Sequence, residues 1–94
     1  LYTVAERIRS RVFLAQGNLC DGEVLRRTYD LIMCRNVIIY LKAEVRNRVI
    51  ATLHRHLAPS SYLMLGHAEI IRERTLFEYQ GNSVYRRQAK ATNV

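Results

Sequence analysis

The sequence has 94 residues, 49% of them hydrophobic and 24% charged, with 15 Lys and Arg against 8 Asp and Glu for a net charge of +7. That length allows one small domain, and the apolar share excludes an intrinsically disordered chain. No apolar run approaches the roughly 18 residues of a membrane span, the opening "LYTVAERIRSRVF" lacks the h-region of a signal peptide, and Cys20 and Cys34 alone give no disulfide framework.

In chain order, "YTVAERIRSR" places Val4 and Ile8 among polar residues, the pattern of a helical turn or two. "VFLAQ", 12 to 16, is short, apolar and closed by Gly17-Asn18, which predicts a buried strand. "LCDGEVLRRT" reads as a loop. "YDLIMC", 29 to 34, is apolar without alternation, as in a strand buried on both faces. From 42 to 58 the period changes: Val45, Val49, Ile50, Leu53 and Leu57 make one helical stripe, and Pro59 is expected to close it. "SYLMLGH", 61 to 67, predicts another buried strand. "TLFEYQ" and "SVYRRQ", with Gly81-Asn82 between them, predict a terminal β-hairpin. Strand, helix, strand makes a βαβ unit, so the fold class is α/β.

Ligands of open α/β sheets bind beyond the carboxyl ends of the strands. Here those ends carry Gly17-Asn18-Leu19, Arg35-Asn36 and Gly66-His67. Arg35 and Asn36 interrupt an apolar run because the strand leaves the core there. A strand must also simply end, and Asn is a common turn residue. His54 and His56 are two apart on a helix and face different ways, and Cys20, Cys34 and His67 have no zinc-ligand spacing, so no metal site is expected. The arginines are scattered, and a solvated surface explains the charge better than a nucleic-acid footprint. A non-catalytic basic module binding nucleic acid or an acidic protein is the alternative reading.

The block "YDLIMCRNVIIYL", the helix ending "LHRHLAP", the strand "YLMLGHAE" and the later "YRR" resemble the C-terminal half of the catalytic domain of CheR-type chemotaxis methyltransferases. In that family a strand ending Cys-Arg-Asn…Ile-Tyr leads to a helix, a Gly-Gly turn, and a strand ending Gly-His-Ser/Ala-Glu. "VFLAQGNL" resembles the strand before it. The likeness covers roughly residues 12 to 87. It implies part of a Rossmann-like sheet that takes S-adenosylmethionine and methylates glutamate side chains of a chemoreceptor in the cytoplasm, with no nucleic acid partner and no membrane insertion. It also implies that residues 1–94 are a fragment. The family's N-terminal helical domain, its Gly-rich first strand-loop and its ribose-binding acid have no counterpart here, so the chain alone is expected to be inactive and to self-associate through open sheet edges.

Carried over by resemblance, Asn18 and Leu19 match the pair that lines the adenosine pocket. Arg35 and Asn36 match residues beside the cofactor, and Tyr40 matches the tyrosine facing the reacting methyl, with Arg35 a second catalytic candidate. A glutamate acceptor is ionised near pH 7, so the chemistry needs positioning more than a general base. Ser60-Ser61 replaces the Gly-Gly turn, which predicts a strained entry to the following strand.

Overall fold

The computed structural model describes residues 5–19, 25, 27–72 and 75–89. Cys20, most of the expected loop around it and the tail from residue 90 lie outside the described residues.

A one-turn helix α1 (Glu6–Arg9) comes first. Strand β1 (Tyr29–Cys34), a 3-10 turn (Ile38–Tyr40), helix α2 (Ala43–Arg55) and strand β2 (Leu57–Leu65) follow, then β3 (Phe77–Gly81) and β4 (Val84–Arg87). The four strands form one sheet in the order β1-β2-β4-β3. β1 and β2 are parallel, β4 runs antiparallel to both β2 and β3, and β3 and β4 are linked by Asn82 and Ser83. Both link residues have positive φ, 52° and 65°, as a two-residue link matched to strand twist requires. A mixed sheet with a helical crossover fits a Rossmann-like α/β fragment.

The helical stripe does what its spacing predicts. Val49, Ile50 and Leu53 are buried against Cys34, Leu63 and Leu65 of the sheet, with Val45 partly covered. Each fully buried aliphatic side chain contributes about 1.5–3 kcal/mol. Glu44 in the first turn and His54 and Arg55 in the last suit the helix dipole. His54 is itself buried; its Nε2 lies 2.8 Å from the Gln88 carbonyl and its ring meets Phe77 edge-on. His56 Nδ1 instead lies 3.0 Å from the Arg27 carbonyl, so the two histidines serve separate structural contacts.

Three expectations are corrected. Residues 12–16 form no strand, and Phe13 and Leu14 are each 89% exposed. A strand needs a neighbour for its backbone hydrogen bonds, and among the described residues none pairs with this run. β1 is not buried on both faces: Ile32 and Cys34 turn toward the helix side, whereas Leu31 and Met33 are 51% and 58% exposed. The helix ends at Arg55, not beside Pro59, and β2 begins at Leu57. A proline ring clashes with the carbonyl four residues back and pushes its predecessor out of the helical region, so its effect reaches upstream of itself.

Pro59 is accommodated because β2 bulges there. Between Tyr29 and Leu31 of β1 the partner jumps from Leu57 to Tyr62. Inside the bulge Ser60 has φ 62°, the left-handed conformation that glycine takes without cost. The Arg87 guanidinium donates to the Leu57 carbonyl, and Arg86 Nη2 donates to Ser60 Oγ at 3.2 Å. Ser60 therefore holds a glycine-type conformation inside the strand, with backbone strain.

Candidate functional site

Because β1 and β2 are parallel, their carboxyl ends reach the same edge of the sheet. Cys34 and Leu65, the last residues of the two strands, are paired and buried. Arg35 and Asn36 come next and are exposed. The 3-10 turn then buries Ile38, 1% exposed, and throws Tyr40 outward, 84% exposed. Arg35, Asn36 and Tyr40 thus share one short loop on the rim of the sheet. Asn18 and Leu19 arrive differently: no strand carries them, Asn18 is exposed, and Leu19 is half-buried against the core.

One side chain organises the loop. Glu69, just past β2, is 3% exposed, yet its carboxylate is fully engaged. Oε1 accepts from the backbone N–H of Asn36 at 2.8 Å and of Gly66 at 2.7 Å. Oε2 accepts from the N–H of Val37 at 2.9 Å and of Ile39 at 3.1 Å. Burial pushes the carboxyl pKa up, but the four donors together outweigh it and hold the pKa below the usual glutamate range. The glutamate is therefore an anion at neutral pH. Burial, helped by this neighbouring charge, pushes the Cys34 thiol up, so Cys34 stays protonated and is no nucleophile.

Gly66 permits this closeness. A Cβ there would lie 2.4 Å from Asn36 Oδ1 and 2.9 Å from Glu69 Oε1. Asn36 itself has φ 60°, a conformation asparagine tolerates better than most residues. The loop cannot relax toward Gly66 without meeting the carboxylate. In sequence Gly66 and Glu69 appear only as the ends of the Gly-His-Ala-Glu match, which reveals neither the packing role of Gly66 nor the anchoring role of Glu69. The available signal is an acid set between Ala68 and the apolar pair Ile70-Ile71, where an unpartnered carboxylate would be costly.

His67 stands on a turn and is exposed. It lines an open cavity of about 930 Å³ that runs between residues 67–72 and the face of β3 and β4, bordered also by Arg72, Tyr79 and Gln88. Among the described residues no group of three or more His, Cys, Asp or Glu could hold a metal ion, and no helix is long and apolar enough to cross a membrane. What the rim offers is a guanidinium, an amide and a phenol, held out to solvent on a backbone fixed from behind. Such a set can orient a polar ligand and a carboxylate; it contains no activated nucleophile.

A family model described as CheR methyltransferase, SAM binding domain, matches residues 1–86. Similar proteins include "Chemotaxis protein methyltransferase 1" of Pseudomonas aeruginosa, 39% identical over 70 residues that make up 74% of this chain and 26% of that protein. "Chemotaxis protein methyltransferase" of Borreliella burgdorferi is 33% identical over 87 residues, 92% of this chain and 31% of that protein. "Probable biofilm formation methyltransferase WspC" of Pseudomonas putida is 39% identical over 66 residues, 68% of this chain and 16% of that protein. The chain spans less than a third of the length of these relatives.

Proposed function

The chain belongs to the CheR methyltransferase family, and from that membership we propose that it forms part of a catalytic domain that methylates glutamate side chains of a chemoreceptor in the cytoplasm. Residues 1–94 contribute the rim built on β1 and β2; a helical domain and the rest of the sheet complete the domain in the parent enzyme. The observation that carries the reading is the loop that follows Cys34: Arg35, Asn36 and Tyr40 project from a backbone whose amides are tied to a buried anion.

S-adenosylmethionine, when bound, supplies an electrophilic methyl on a sulfonium centre. The residues present fit the group in chemical kind. Asn18 and Asn36 offer amide donors and acceptors for a heterocycle edge, Leu19 an apolar contact, and Arg35 a bidentate partner for a carboxylate. Tyr40 donates a hydrogen bond that orients the acceptor glutamate. That glutamate is already ionised at neutral pH, so no residue here has to remove a proton. The chain's work is placement and exclusion of alternatives, and no general base is required of the rim. The exposed edge of β1, with Leu31 and Met33 beside it, also makes self-association of the 94-residue chain an expected property, measurable by sedimentation.

The test is Tyr40→Phe in a chimaera in which residues 1–94 replace the matching segment of the Pseudomonas aeruginosa relative. Turnover is expected to fall about tenfold, equivalent to about 1.4 kcal/mol of barrier. Cofactor affinity changes less, and thermal stability stays level because the ring is 84% exposed. A rate unchanged per folded molecule would remove Tyr40 from the site.

A further inference from the structure

Tyr40 has almost no side-chain packing to hold it: its ring is 84% exposed. Its direction is set by the backbone alone. That backbone is a single 3-10 turn in which Tyr40 N–H donates to the Val37 carbonyl at a long 3.3 Å and Leu41 N–H to the Ile38 carbonyl at 3.1 Å. Turns this short are marginal by themselves. Two things stop the turn from wandering: the buried Ile38 side chain on the inner side, and the Glu69 carboxylate at the amides of Asn36, Val37 and Ile39.

We propose that Glu69 is a positioning residue for methyl transfer, a buried carboxylate that sets the 35–40 loop so that Asn36 and Tyr40 face the reacting groups. It reaches the site only through backbone amides. Its two oxygens divide the task. Oε1 ties Asn36 to Gly66 and so locks the end of β1 to the end of β2; Oε2 ties Val37 and Ile39 and so fixes the turn that carries Tyr40. Only a carboxylate can do both, because it alone presents two acceptor oxygens and no donor. A glutamine amide in place of the Glu69 carboxylate would turn an NH2 toward two N–H donors and leave them unpaired in a buried place. A buried charge is a costly way to close a loop, and a well-packed apolar residue would fill the space but leave four amides without acceptors.

The effect on turnover rests on the proposed methyltransferase reading; the effect on the loop does not. The test therefore has two arms. In the 94-residue chain, amide hydrogen exchange at residues 36, 37 and 39 should accelerate at least about tenfold on Glu69→Gln, with α2 unchanged. In the chimaera described above, Glu69→Gln should lower kcat by on the order of tenfold or more, and adding Tyr40→Phe should cost little further, since an already displaced ring has little left to lose. Unaltered exchange at residues 36–39 would overturn the proposal. So would accelerated exchange with both kcat and the cofactor KM unchanged per folded molecule. If Tyr40→Phe alone is silent while Glu69→Gln raises the cofactor KM, the Tyr40 reading falls and Glu69 stands as the positioner of Arg35 and Asn36. Should Glu69→Gln fail to fold, Gly66→Ala replaces it: its Cβ intrudes on Asn36 Oδ1 and Glu69 Oε1 and leaves the carboxylate in place. The same loss of kcat is expected, and full activity in a folded Gly66→Ala would overturn the proposal.

Discussion

Two apolar runs of similar length have opposite fates. Residues 12–16, "VFLAQ", and residues 29–34, "YDLIMC", both read as strands. The second is a strand, with Cys34 6% exposed; the first has no regular structure, with Leu14 89% exposed. Composition does not separate them. The second has β2 beside it, supplying a hydrogen-bonding edge, and α2 below it, supplying an apolar surface. Strand propensity is mostly the fit of a side chain to a half-buried pleated surface, so it has no force where that surface is missing.

The largest effect that would test this contrast is a pair of truncations. Leu63→Ala removes a side chain with no exposed surface from the centre of β2 and should cost about 2–5 kcal/mol in denaturant unfolding. Leu14→Ala should stay within about 0.5 kcal/mol, as for other exposed positions. Equal losses at the two sites would show that residues 12–16 are packed after all, and the contrast would collapse.

A smaller effect concerns pH. The Glu69 pKa is held below its unfolded-state value, so its contribution is fully present at neutral pH and is lost as pH falls through the depressed folded-state value. Glu69→Gln should flatten this acid limb and lower stability at pH 7 by about 1–3 kcal/mol, the cost of orphaned buried donors. Parallel unfolding curves for the two proteins between pH 7 and the acid limit would count against the carboxylate as the element that ties β1 to β2.

The smallest effect is a gain. Ser60→Gly relieves a positive φ in the β2 bulge and should stabilise the chain by about 0.5–1 kcal/mol, offset slightly by the lost Arg86 contact. A thermal midpoint that drops would mean the serine hydroxyl matters more than the backbone strain.

The site is legible in part. Arg35 and Asn36 stand out in sequence because polar groups break an apolar pattern, Tyr40 stands out through the family resemblance, and the structure places all three on one loop. Whether they touch cofactor or substrate is the proposal that Tyr40→Phe tests. The sequence pattern puts Asn18 and Leu19 at the end of a strand that does not form. Glu69 shows in sequence only as the last residue of the Gly-His-Ala-Glu match; its role stays hidden, because its four partners are backbone amides, and backbone amides leave no mark in a sequence. Pro59 misleads by position: its influence on the helix is felt upstream, and the bulge that houses it depends on a partner strand.

The sequence by itself determined the α/β alternation, the buried stripe of α2 and the specific block from Cys34 to Tyr40 that marks the family. These follow from periodicity and local residue chemistry, which act over a few neighbouring residues. The tertiary structure alone decided which apolar run became a strand, where α2 stopped, and how the rim loop is held. Those outcomes depend on pairing between segments far apart in the chain: Tyr29 with Leu57, Leu63 with Tyr85, Asn36 with Glu69. A backbone donor or a buried charge takes its partner from whatever folding brings beside it, and that neighbour is a property of the whole fold, not of the residue.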